Sequence, residues 1–200
     1  NVLLDSDALS KQTSPRCALL RLWAPLDFNV FYPHVGEKDI PASFLGSVGG
    51  YREGRKEYLD YLSSKGVNLK FSGGNENPLA LAQYADIMRR SKISLNFSHS
   101  INDTHQLKGR VFEIMFSRSL LLENVNGETS KYFDPMVDYV VFENKEDLEQ
   151  KIAYYLSHEQ ELKAITDRGY QKATRQYNHQ LFWSEVTAKL QKLHLLNERR

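Results

Sequence analysis

The sequence predicts an α/β domain built on a doubly wound parallel sheet. Three observations point there. Strand-like and helix-like segments alternate through the middle of the chain. The strand-like segments are short, apolar and uninterrupted, as expected where both faces of a sheet are covered. Glycine or a polar cluster stands where most of them end.

The elements follow in order. ASFLGSV (Ala42–Val48) reads as a buried strand ending in glycine. REGRKEYLDYLSSKG reads as a helix with Tyr58, Leu59 and Leu62 on one face and Gly66 as its stop. VNLKFSG is the next strand, and LALAQYADIMRRSK a helix with Leu81, Ala85 and Met88 at core spacing. ISLNFSHS is a strand running into a polar loop, LKGRVFEIMFSRS a helix, and LLLEN a strand. A short helix at Thr129–Phe133 leads to the strand YVVFEN. Asn144 can cap KEDLEQKIAYYLSH, whose Leu148, Ile152 and Leu156 share a face. Further helices are expected at Glu161–Tyr177 and Leu181–Leu196.

The first 40 residues lack this rhythm, and Pro25, Pro33 and Pro41 punctuate a stretch of spread aromatics. The expected organisation is therefore a tail and connecting segment at 1–41, an α/β domain at 42–178 and a C-terminal helix at 179–200. The chain opens on Asn1 rather than Met, which fits a piece of a longer protein.

Composition narrows the function classes. The 26 basic and 25 acidic side chains leave a net charge of +1, without the basic excess of a nucleic-acid binder. Hydrophobic residues make up 41%, enough for a sizeable core. Cys17 is the only cysteine, so no disulfide can form within the chain and a reducing compartment, the cytoplasm, is expected. No apolar run approaches the roughly 20 residues of a membrane span, and the N-terminus does not read as a signal peptide.

In a doubly wound sheet, ligands bind at the carboxyl ends of the strands where the strand order reverses. Two clusters qualify. In HQLKGRVFE, Lys108, Arg110 and Glu113 stand at a helix start after a strand and a polar loop. A helix N-terminus with two added cations suits a diphosphate, and a carboxylate one turn on can accept from a ribose diol. A solvated Arg110–Glu113 pair at i,i+3 is the plainer alternative. In LGSVGGYREGR, Gly46 and Ser47 end a strand and Arg52 begins a helix in the same crevice, where backbone N–H groups could approach an anion. An ordinary strand-to-helix turn would read the same. Neither GxGxxG nor the GK[ST] of a P-loop occurs, and no GxSxG elbow supports a serine hydrolase. His99, Asp103 and His105 are too few and too loosely placed to argue for a metal.

FLGS followed by Arg52, then ISLNFS, LKGRVFE, LLLEN and YVVFENKEDLEQKIAYYL together resemble the C-terminal domain of GT-B glycosyltransferases. The closest resemblance is to the glycosyl-transferase group 1-like family that includes spore-maturation CgeB-type proteins, over roughly Leu22 to Leu190. It implies a Rossmann-like donor-binding half of a two-domain enzyme. Such an enzyme moves a sugar from a nucleoside-diphosphate donor to an acceptor, here an unknown glycan, protein or lipid. It implies no resident cofactor and generally no metal. The N-terminal GT-B domain would be missing, leaving this chain inactive alone and without an assignable general base.

By the same resemblance Glu113 holds the donor ribose, and Arg110, Lys108 and Arg52, with Gly46 and Ser47 alongside, lie at the diphosphate. Many retaining relatives carry two glutamates eight positions apart. Here the earlier position is His105, the candidate contact to the donor sugar, which leaves retention or inversion open. The rival readings are a non-catalytic nucleotide- or sugar-binding module and another Rossmann-like enzyme such as a methyltransferase. The missing glycine-rich first loop argues against the latter.

Overall fold

The computed structural model describes residues 2–3, 22–73, 78–98 and 105–197. Asn1, Cys17, His99 and Asp103 lie outside them.

Five parallel strands form the main sheet in the order β3-β2-β4-β6-β7. They are β2 (Ile40–Leu45), β3 (Leu69–Ser72), β4 (Ser91–Asn96), β6 (Leu120–Asn124) and β7 (Val140–Phe142). A separate antiparallel pair joins β1 (Val2–Leu3) to β5 (Leu107–Lys108). The helices are α1 (Glu53–Ser64), α2 (Leu81–Arg90), α3 (Gly109–Phe116), α4 (Lys145–Ser157), α5 (Glu159–Gln176) and α6 (His179–Asn197). From β2 the chain winds outward to β3, then crosses back to β4 on β2's other side and continues outward to β6 and β7. The order therefore reverses between β2 and β4, and the crevice above their carboxyl ends is the ligand position this topology favours.

Alternation along each strand splits the core in two. Phe44, Leu95, Leu122 and Phe142 point to one face, against Leu59 and Leu62 of α1 and Leu148 and Ile152 of α4. Leu45 and Leu121 point to the other, against Ala85 and Met88 of α2 and Val111, Phe112 and Met115 of α3. Only a sheet covered on both faces buries side chains of both parities, which is why its strands read as unbroken apolar runs.

Two boundaries differ from the sequence reading in ways that matter for the site. The strand expected at Ala42–Val48 runs instead from Ile40 to Leu45, so Gly46 and Ser47 belong to the loop above it. The helix expected from Leu107 begins at Gly109, because Leu107 and Lys108 are extended and pair with β1. Asn144 caps α4 as expected, its Oδ1 accepting from the Asp147 N–H at 2.8 Å.

The connecting segment before β2 packs on the domain. Trp23 donates through Nε1 to the Asn178 carbonyl at 3.2 Å and meets the rings of Tyr177 and Phe182 edge-on. Phe28 lies 4.8 Å from Phe116. Leu181, Trp183 and Leu190 of α6 are exposed. No helix among the described residues is long and apolar enough to cross a membrane.

Candidate functional site

The crevice above β2 and β4 collects four cations. Arg55 is buried in the first turns of α1. Its Nη1 donates to the Ser47 carbonyl at 3.0 Å and its Nη2 to the Phe97 carbonyl at 3.3 Å. Lys108, at the start of α3, donates through Nζ to the same Phe97 carbonyl. Burial first, then the charges of Arg55, Arg110 and Arg52, pull the Lys108 ammonium down to a pKa of about 7. Like charges crowded into a half-buried space disfavour one another, and an arriving anion relieves them all.

Arg110 is the best organised of the four. Its guanidinium lies over the Phe44 ring, 5.6 Å from the centroid, a cation–π arrangement. Nη1 donates to Asn96 Oδ1 at 3.2 Å and Nε to Tyr84 Oη at 3.4 Å. Nη2 is turned toward Gly46, where an added Cβ would stand only 2.7 Å from it. A side chain at this position could be accommodated only if the Arg110 guanidinium moved from its place. The Gly46 N–H donates to the Ser72 carbonyl at 2.9 Å. The N–H expected from sequence to face an anion is thus engaged with Ser72 in this structure, and Gly46 also leaves room for Arg110. Ser47 likewise turns its carbonyl to Arg55.

Glu113 lies one turn into α3 and accepts from Tyr84 Oη at 2.6 Å through Oε2. Burial raises its carboxyl above the usual range, opposed by the Tyr84 hydrogen bond and the Arg110 charge. Arg110 and Glu113 therefore meet across Tyr84 of α2, at the edge of the crevice, in place of the surface ion pair their spacing allowed. Burial pushes the Tyr84 hydroxyl well above its ordinary value, so it stays a neutral donor.

A pocket of about 370 Å³ opens beside the cations, lined by Arg52, Arg55, Tyr58, Phe97, His105, Asn124 and Glu143 among others. Arg52, at the end of the 3₁₀ turn Gly50–Arg52, and His105 line this pocket, whereas Arg110 and Glu113 do not, and the helix that carries them, α3, packs on the opposite face of the sheet. The residues expected from sequence thus gather around one crevice but flank it on two sides.

The family described as glycosyl transferase-like matches residues 38–186. The chain belongs to that family. No curated protein matches the chain. Among solved structures, the C-terminal domain of a glycosyl transferase group 1 family protein, LpcC from Francisella tularensis, is similar at 14% identity and a TM-score of 0.55, over 76% of this chain and 98% of that one. HepE from Anabaena, solved with UDP and glucose, is similar at 11% identity and a TM-score of 0.66, over 86% and 56%. Sucrose-phosphate synthase from Thermosynechococcus elongatus is similar at 9% identity and a TM-score of 0.67, over 96% and 57%. This member of the glycosyl transferase-like family thus spans little more than half the length of the latter two. Its fold is that of the Rossmann-like C-terminal half of the GT-B architecture.

Sequence reasoning missed four residues that organise the site: Arg55, Tyr84, Asn96 and Glu123. Glu123 carried a signal, being an acid inside the apolar run LLLEN. It is fully buried, its Oε1 accepts from Asn96 Nδ2 at 2.6 Å, and burial raises it to a pKa of about 7. Asn126 Nδ2 adds a longer bond of 3.3 Å to the same oxygen.

Proposed function

We propose that this chain is the donor-binding half of a glycosyltransferase that moves a sugar from a nucleoside diphosphate to an acceptor. The observation that supports this most is the convergence of Arg52, Arg55, Lys108 and Arg110 on the crevice where the sheet's strand order reverses. A diphosphate is the group of matching charge and size, and it is the leaving group of the transfer. Arg110 and Lys108 stabilise the charge that develops on the diphosphate as the glycosidic bond breaks, with Arg52 and Arg55 closing the other side. Fixed cations in a partly water-excluded site need no reorganisation at that moment. Glu113, paired with Tyr84, offers its second carboxylate oxygen to the ribose diol. His105, in the pocket beside Arg52, faces the donor sugar.

The proposal uses no resident metal or cofactor, since the chain's own cations carry the charge. The acceptor and the groups that bind it are assigned to a second domain. With one cysteine in 200 residues, the chain is assigned to the cytoplasm.

Calorimetric titration with UDP and GDP, and with uridine and guanosine, tests the reading. One nucleoside diphosphate should bind well and its nucleoside far more weakly. Arg110→Ala should remove roughly 1.5–3 kcal/mol from the diphosphate alone, the range for a hydrogen bond to a charged group. Glu113→Ala should lower affinity for nucleotide and nucleoside alike. Equal affinity of the wild-type chain for UDP and uridine, and for GDP and guanosine, refutes the assignment.

A further inference from the structure

The buried carboxylate of Glu123 has no part in the scheme above, yet it is joined to it. Glu123 sits at the carboxyl end of β6 and is 0% exposed. Its Oε1 takes the Asn96 Nδ2 donor at 2.6 Å. Asn96 ends the neighbouring strand, β4, and is also fully buried. With its amide nitrogen held by Glu123, the Asn96 Oδ1 is left to face Arg110, whose Nη1 it accepts at 3.2 Å. Arg110 Nε then reaches Tyr84 Oη at 3.4 Å, and Tyr84 donates to Glu113 at 2.6 Å. Every link has one sense of donation, so the acceptor at the buried end fixes which way the Asn96 amide points. If the amide were turned over, its NH₂ would meet the guanidinium donor to donor.

We propose that Glu123 is a positioning residue for the diphosphate site: through Asn96 it holds the Arg110 guanidinium in place over Phe44. This rests on the reading of Arg110 as a diphosphate ligand. A buried carboxylate is costly and is readily replaced by an apolar side chain of similar volume where nothing depends on it. Glu123 has such a dependent: its Oε1 takes the short Asn96 bond, with Asn126 Nδ2 adding the longer one at 3.3 Å, while Oε2 has no hydrogen-bond partner among the described residues. The preceding strand residues Leu120, Leu121 and Leu122 are all core, which makes Glu123 the one acid in that run and the point where the strand changes from packing to positioning.

The test uses variants that separate volume from hydrogen bonding. Glu123→Leu fills the space but cannot accept from Asn96; Glu123→Gln retains an acceptor oxygen. Asn96→Ala cuts the relay one link nearer the site and serves if the leucine variant does not fold. Each is titrated with UDP and GDP and with uridine and guanosine, alongside thermal unfolding. The expected result for Glu123→Leu and Asn96→Ala is about tenfold weaker binding of the nucleoside diphosphate, with nucleoside binding unchanged. Glu123→Gln should stay within about twofold of wild type, and Glu123→Leu should unfold no earlier than wild type. If Arg110→Ala weakens diphosphate binding while Glu123→Leu and Asn96→Ala do not, the relay is overturned and the reading of Arg110 stands. Losing nucleotide and nucleoside affinity equally also overturns it, since that marks a packing defect. A wild-type chain with no preference for the diphosphate overturns both.

Discussion

Lys108 is the residue at which charge, burial and pH meet. Its ammonium is drawn to a pKa of about 7, chiefly by burial and then by Arg55 and Arg110, with Glu123 pulling weakly the other way. A bound diphosphate favours the protonated form and raises that value, so binding between the two values takes up a proton. The sign follows: affinity for UDP or GDP should fall as pH rises above about 7, by up to tenfold per pH unit for one proton. Ionisation of Glu123, also near 7, adds negative charge below the site and works in the same direction. Titration calorimetry in buffers of different ionisation enthalpy should show proton uptake near pH 7.5, and Lys108→Met should abolish most of it. A flat affinity between pH 7 and 9 in the wild-type chain would remove Lys108 from the diphosphate site. Lys108, Arg110 and Glu113 were legible in the sequence because one helix start carries all three. Tyr84, Asn96 and Glu123 were not, because they come from α2, β4 and β6 and only the strand order brings them together. Gly46 was legible as a special position, but its close approach to Arg110 was not, being a fact of three dimensions.

At the scale of elements, the five strands of the main sheet and the α-helices that follow them were legible, while the short strand β5 was read as part of a helix. Periodicity marks where an apolar face runs, not where hydrogen bonding stops, so Leu107 and Lys108 read as helix although β1 pairs with them. The connecting segment was the least legible part, because its anchors are single contacts to distant elements. Lys38 is one of them. Its Nζ donates to the carbonyls of Arg89 at 2.6 Å, Ser91 at 3.0 Å and Ser117 at 3.2 Å. One ammonium thus clasps the last turn of α2, the start of β4 and the C-cap of α3, where helix carbonyls lack partners and a positive charge is favoured. Lys38→Met keeps the aliphatic stem and removes all three donors. The expected cost is about 1–3 kcal/mol of unfolding free energy, measured by urea denaturation at pH 6, where the wild-type side chain is charged. Nucleotide affinity should be nearly unchanged, since Lys38 belongs to the opposite end of the sheet from Arg110. An unchanged midpoint and slope would mean that the clasp contributes nothing net.

On the scale of the whole molecule, the charges are nearly balanced, yet four cations crowd one crevice at the carboxyl end of the sheet. A donor needs such a crevice only on one side. In a sugar transfer the acceptor must approach the anomeric carbon from outside the diphosphate, and holding both reactants in line supplies much of the rate. HepE and sucrose-phosphate synthase, which this chain matches over 56% and 57% of their lengths, are each nearly twice the size of the matched region. The division of labour proposed above therefore predicts that the 200-residue chain binds its nucleoside diphosphate but transfers no sugar by itself. Donor hydrolysis should also be slow, because water entering an open cleft is not held in line. Incubating the chain with UDP-glucose, GDP-fucose and other sugar nucleotides, and following release of the nucleoside diphosphate, checks both points. Adding a longer form of the protein at equal concentration supplies the positive control. Release should rise by orders of magnitude with the longer form, and Arg110→Ala in that form should lower kcat, because its contact strengthens as the leaving group gains charge. Transfer by the 200-residue chain at the rate of the longer form would place the acceptor site within the residues described here and would end the half-site assignment.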